Sequence, residues 1–141
     1  AGEMARVCRP GGKIGMANWT PESWIGTMFR IVSRYVPPPP HLQPPTRWGT
    51  ATGLRELFGD GLADLAIEHR TFTFRYTSRD HWLDFFRTNF GPLITAYATL
   101  DPMAAQLLTD EIRDAAAAAN RAKDGTFVVD SGYLEVVATR R

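Results

Sequence analysis

The 141-residue chain sets 16 Lys and Arg against 15 Asp and Glu, a formal net charge of +1, and is 44% hydrophobic. That length and apolar content fit one domain with one modest core, and the intermixed charges leave no basic stripe, which excludes a nucleic-acid surface. The single cysteine, Cys8, excludes an internal disulfide framework and suits a reducing, cytoplasmic setting, and no apolar run has the length of a membrane span.

Glu3 to Val7 are good helix formers with Met4 and Val7 three apart. Pro10 bars that helix from continuing, and Gly11-Gly12 supply a turn. Ile14, Met16 and Ala17, with Gly15 between them, then form a nearly continuous apolar run, which predicts a strand from Lys13 to Trp19 covered on both faces. Thr20-Pro21-Glu22 opens a helix with Thr as its cap. It runs to about Tyr35, with Trp24, Met28, Ile31 and Tyr35 at helical spacing and Ile25, Phe29 and Val32 alongside. So broad an apolar face implies two things to cover.

Pro37 to Pro40, then Pro44 and Pro45, make Val36 to Arg47 a stiff surface crossing. A PxxP ligand for a partner is the alternative reading of these prolines. Thr50 to Phe58 is a short helix ended by Gly59. In the strand-prone stretch Leu65 to Tyr76, Phe72, Phe74 and Tyr76 alternate with Thr71, Thr73 and Arg75, which predicts one buried and one semi-polar face. Ser78 caps a helix with the aromatic stripe Trp82, Phe85, Phe86 and Phe90, and Asn89 with Gly91-Pro92 stop it. Asp101-Pro102 opens a third helix with Met103, Leu107, Leu108 and Ile112 inward, running into an alanine-rich turn that Asp124-Gly125 ends. Thr126 to Val129 and Tyr133 to Thr139 read as two strand segments separated by Asp130-Ser131-Gly132.

Little of this carries acid–base or metal chemistry. His41, His69 and His81 lack any ligand spacing, so no metal site is expected. Asp80-His81 near Asp84 reads as helix-start capping rather than as a general base with an orienting carboxylate. No serine or cysteine sits in an elbow-like turn. What remains is aromatic. Trp19, Trp24, Met28, Phe29, Tyr35 and Trp48 gather around the carboxyl end of the first strand, where ligands bind in α/β sheets.

Glu3, Arg6, Val7, Arg9, Pro10, Gly11 and Gly12 stand where the class I S-adenosylmethionine-dependent methyltransferases carry a helix ending in E-x-x-R-V-x-R-P-G-G. The ubiquinone/menaquinone-biosynthesis-like group is the one the chain resembles, and the resemblance continues to the last strand, Tyr133-Leu134-Glu135-Val136-Val137-Ala138. It implies an α/β fold that is the C-terminal half of a Rossmann-like methyltransferase, a three-stranded mixed sheet remnant with helices. It further implies one domain over 1–141, with a substrate cap over 20–60 and closing strands at 65–76 and 133–139. Lys13 to Trp19 is then expected to pair antiparallel with Tyr133 to Thr139, which pairs antiparallel with Leu65 to Tyr76.

In the resembling enzymes the segment after the first of these strands roofs the substrate pocket. By that correspondence Asn18 and Trp19 face a small, largely apolar acceptor, and Trp24, Met28 and Phe29 supply a lid. The family's cofactor is S-adenosylmethionine, held by a glycine-rich first turn and an acidic residue after the second strand. Neither motif is present here, so this chain alone is expected to bind no cofactor and to be inactive. A noncatalytic module for self-association or partner binding, derived from a methyltransferase, is the rival reading. Without the neighbouring strands of the family's sheet, the edge of Lys13 to Trp19 is left unpaired, which implies a homodimer through that edge.

Overall fold

The first turn already fixes the direction of the chain: Gly11 takes a φ of 73°, open to glycine at no steric cost, and reverses the path from a short helix into a strand. The computed structural model describes residues 1–141. Its elements in order are α1 (Gly2–Val7), β1 (Lys13–Trp19), α2 (Trp24–Tyr35), a 3-10 turn (Pro45–Gly49), α3 (Ala51–Phe58), β2 (Leu62–Tyr76), α4 (Arg79–Asn89), α5 (Gly91–Thr99), α6 (Pro102–Ala119) and β3 (Phe127–Arg140). The molecule is thus an α/β protein with six helices and one three-stranded sheet.

Strand order is β1-β3-β2. Lys13 lies opposite Thr139 and Trp19 opposite Tyr133, while Leu65 lies opposite Ala138 and Tyr76 opposite Phe127. The expected pairing and strand order are therefore present. The sheet is antiparallel throughout, however, and not mixed: both neighbours of β3 run against it, and β1 and β2, which run the same way, never touch as a ladder.

Three local expectations change. Asp130-Ser131-Gly132 does not interrupt β3, because each residue finds a partner across the sheet. Thr73 Oγ1 donates to Asp130 Oδ1 at 2.7 Å, and Arg121 pairs with the other carboxylate oxygen of Asp130. Ser131, fully buried, accepts from the Ile25 amide at 3.3 Å, one of the free N–H groups of the first turn of α2. Cross-strand satisfaction overrides the local turn preference of these residues. Second, Ser23 rather than Thr20 caps α2, accepting from Gly26 N at 3.0 Å, while the Thr20 carbonyl accepts from Ser23 Oγ at 2.7 Å. Third, Gly91-Pro92 ends α4 but also opens α5, since proline in the first helical turn forfeits no hydrogen bond. Thr50, Ser78 and Asp101 cap α3, α4 and α6 through their side-chain oxygens, where the sequence put them.

The sheet buries opposite faces at its two ends. Phe127, Val129 and Ser131 point to one face, under α2, α4 and α6, where Trp24, Met28, Trp82, Phe86, Leu108 and Ile112 form the larger core. Beyond Tyr133 the burial moves to the other face: Leu134, Val136 and Ala138 meet Ile14, Leu54 and Phe58 in a smaller core under α3. Each face is left uncovered where the other is packed. Gly15 and Ala17 on β1 and Val137 on β3, 41% accessible, accordingly lie open, so up to Ala17 β1 is covered on one face only, and Trp19 alone packs on the other. On β2 no residue is fully buried: Phe74 and Tyr76 pack against the larger core and Leu62, Leu65 and Ile67 against the smaller one, while Phe72 remains 50% accessible.

Candidate functional site

The C-terminal tip of β1 delivers Asn18 and Trp19 to opposite faces of the sheet. Two further elements close around them. The 3-10 turn Pro45–Gly49 packs directly on the strand end, and only glycine permits this. A Cβ at Gly49 would overlap the Trp19 carbonyl oxygen and lie 2.6 Å from its carbon and 2.8 Å from Thr20 Cα. At Gly26 a Cβ would lie 2.5 Å from the Thr20 oxygen and 2.7 Å from the Pro21 carbonyl carbon, so glycine also lets the start of α2 approach the chain leaving β1. The two close approaches bring Trp48 and Phe29 to the strand tip.

Between them lies a cavity of about 220 Å³ lined by Ala17, Asn18, Trp19, Phe29, Pro45, Thr46 and Trp48. Its aromatic walls are braced from different elements. Trp19 stands 5.8 Å from Phe74 and 5.9 Å from Tyr133 between ring centroids, Phe29 is 5.5 Å from Phe90, and Trp48 meets Phe58 edge-on at 6.0 Å. Such packing fixes the walls before any ligand arrives. The Asn18 side-chain nitrogen is buried and donates to nothing within the protein. A buried amide without a partner costs about 1–3 kcal/mol.

No titratable residue of this chain lines the cavity. No group of three or more His, Cys, Asp and Glu side chains gathers where it would hold a metal ion. A polar cavity of about 460 Å³ between α4 and α6 is lined by Ser78, Arg79, Asp80 and Arg113, but there Arg113 already meets Asp80 at 3.3 Å. The side chain of His81, on the same helix, faces Thr77 Oγ1 at 2.8 Å.

Comparison with known proteins gives relatives without assigned activities. No family model matches the chain. An uncharacterized protein of Mycobacterium tuberculosis is 33% identical over 143 residues, covering 100% of this chain and 52% of that protein, and an uncharacterized protein of Mycobacterium bovis gives the same figures. A second uncharacterized M. tuberculosis protein is 36% identical over 102 residues, 71% of this chain and 37% of its own length. The chain spans about half the length of the curated relatives it matches.

Of the five residues singled out from the sequence, Asn18, Trp19 and Phe29 line the cavity. Trp24 and Met28 lie beneath it in the larger core, Met28 with no accessible surface and Trp24 stacked obliquely on Trp82 at 5.2 Å. Pro45 and Thr46 line it too, although the proline-rich stretch reads as a spacer in sequence. The one local hint was Gly49 directly after Trp48: an aromatic residue beside a glycine that allows a close backbone approach.

Proposed function

We propose that this chain is the C-terminal, substrate-capping half of an S-adenosylmethionine-dependent methyltransferase acting on a small, largely apolar acceptor. The observation that carries the reading is the β1-β3-β2 order with its antiparallel register, which is what the resemblance in the Pro10-Gly11-Gly12 segment requires of the strands that follow it. A preformed cavity at the carboxyl end of β1, aromatic and without titratable groups, supports it as well. Methyl transfer to an already nucleophilic acceptor asks the protein mainly to hold two reactants in line.

The residues here do not fit the cofactor. The glycines at 11 and 12 lead from a helix into a strand and Gly91 follows a helix, while Gly26, in the first turn of the helix after β1, is closed off by the Thr20 and Pro21 carbonyls, so none forms a nucleotide-cradling turn. Cofactor binding is assigned to sequence outside this chain, for which the mycobacterial relatives, about twice as long, have room. Calorimetry tests the division. S-adenosylmethionine is expected to bind the M. tuberculosis relative with one equivalent per chain and this chain not at all. A relative that takes up none, or low-micromolar stoichiometric binding by this chain, overturns the reading.

A noncatalytic association module is the second reading, favoured by the bare stretch of β1 at Gly15 to Ala17. On either reading the single free Cys8 suits a reducing cytoplasm. No helix is long and apolar enough to cross a membrane.

A further inference from the structure

Behind Phe29, Pro45 and Thr46, which divide it from the cavity at Asn18, lies a separate groove of about 670 Å³ between α2 and the proline-rich segment. Its size is that of a small-molecule site. Val32 and Val36 line it from the α2 side. Leu42 lines it from the proline-rich side, on a turn in which Leu42 N donates to the Pro39 carbonyl at 2.9 Å. With Leu42 54% accessible, the chain leaves much of this apolar surface uncovered.

One charge stands at the groove. Arg30 is the only charged residue lining it, and no carboxylate pairs with that side chain. Four residues on, Arg34 is neutralised by Glu111. The Arg30 guanidinium instead donates to the Pro21 carbonyl at 3.2 Å and to Thr27 Oγ1 at 2.9 Å. Both acceptors are neutral, so the charge is held in place without being cancelled, and the other guanidinium N–H groups remain free to donate.

We propose that this groove binds a free aliphatic carboxylate, with the carboxylate on Arg30 and the alkyl chain between α2 and Leu42. The site stands apart from the cavity at Asn18 and does not depend on methyl transfer.

Charge complementarity selects the head group. A lone guanidinium with no acidic neighbour in the groove favours a monoanion over a cation, and its planar fork matches a carboxylate through two parallel hydrogen bonds. The walls select the tail. Pro21, Pro38, Pro44, Pro45 and Pro92 line the groove and offer no backbone N–H. An extended peptide would find few partners there for its carbonyls, whereas a hydrocarbon needs none and gains by covering Leu42.

Octanoate titrated into the ¹⁵N-labelled chain at neutral pH, beside 1-octanol and octyltrimethylammonium, tests the assignment by NMR. Octanoate is expected to saturate at one equivalent, to shift the amides of Ser33, Gln43 and Thr46, which line the groove, and to bind more tightly than the alcohol or the ammonium. Arg30→Gln should weaken octanoate about three- to tenfold, the worth of one charge-assisted pair near a surface, and leave octanol unchanged. Leu42→Asp should weaken both. Arg30 and Leu42 are exposed, so both variants are expected to fold. Octanoate no tighter than octanol, shifts confined to amides elsewhere, or an Arg30→Gln variant that keeps octanoate or loses octanol equally would overturn the site. So would a chain that sediments with phosphatidylglycerol vesicles yet fails to saturate with free octanoate, which would make the groove a membrane contact.

Discussion

Gly49→Ala is the perturbation that most directly tests how the candidate site is assembled. The added methyl would collide with the Trp19 carbonyl oxygen, 2.6 Å from the carbonyl carbon and 2.8 Å from Thr20 Cα. All three atoms are backbone, and they are held: Trp19 is in register with Tyr133 on β3, and Thr20 N donates to the Gly132 carbonyl at 3.2 Å. The strand end cannot give way cheaply, so the 3-10 turn must lift and carry Trp48 off Phe58. Overpacking of this kind costs about 1–3 kcal/mol, which for a chain of this size lowers Tm by about 3–9 °C. Gly15→Ala serves as the control. It lies on the exposed face of the same strand with nothing within 4 Å of the added Cβ, and it should leave stability unchanged or raise it slightly, since alanine narrows the unfolded ensemble. Urea titration of both variants measures the difference, with unchanged m-values required for the comparison, and tryptophan emission reports the displaced Trp48. If Gly49→Ala unfolds at the wild-type urea concentration with unaltered emission, the turn is not seated on the strand end as described.

Two other outcomes can be read in solution. Burial pushes the Tyr76 phenol above its ordinary pKa; the folded state then holds a proton that the unfolded state has released, so the stability present below about pH 10 should fall as pH rises further. Tyr76→Phe is expected to flatten that alkaline loss in urea titrations at pH 9 to 11, and an identical slope in wild type and variant would refute it. The chain should also self-associate through the open part of β1. Thr20 N donates to Gly132 O and Arg140 N to Gly12 O, so the even-numbered residues of β1 bond to β3 and the odd-numbered ones direct their N–H and C=O outward. Of these, Trp19 is covered by the 3-10 turn and the Lys13 carbonyl lies 4.0 Å from Cys8 Sγ, which leaves Gly15 and Ala17. Light scattering after size exclusion should show a concentration-dependent dimer that Ala17→Pro abolishes, because that proline removes an outward donor without breaking a bond to β3. A wild-type chain that stays monomeric at high concentration, or a variant that dimerises equally, would rule the edge out.

The parts of this fold legible in the sequence are those that neighbouring residues decide among themselves. Thr50, Ser78 and Asp101 each cap the helix that follows by bonding an amide two or three residues ahead, and Pro10-Gly11-Gly12 turns the chain by its own dihedral limits. Asp130-Ser131-Gly132 reads locally as a turn, yet its polar groups are satisfied by Thr73, Arg121 and the Ile25 amide, one of them 106 positions away in the chain. Arg121 is only nine positions from Asp130, but no local window contains Thr73 or Ile25.

The same distinction runs through the site. The helical pattern of α2 shows that it has a broad apolar face, and the tip of a strand is where a ligand belongs, so Asn18, Trp19 and Phe29 could be found. Successive residues on a helix stand about 100° apart, and a broad stripe does not say which of its edges meets the core. Here Trp24, Met28 and Ile31 turn into the packing against Trp82 and Phe127, while Phe29, one step round, is left partly buried at the cavity wall beside Phe90. What decides between them is the seating of α2, set by Gly26 against the Thr20 and Pro21 carbonyls and by Ser131 at the Ile25 amide. The unpartnered Asn18 amide is still further from the sequence's reach, because it is defined by what the surrounding elements fail to supply.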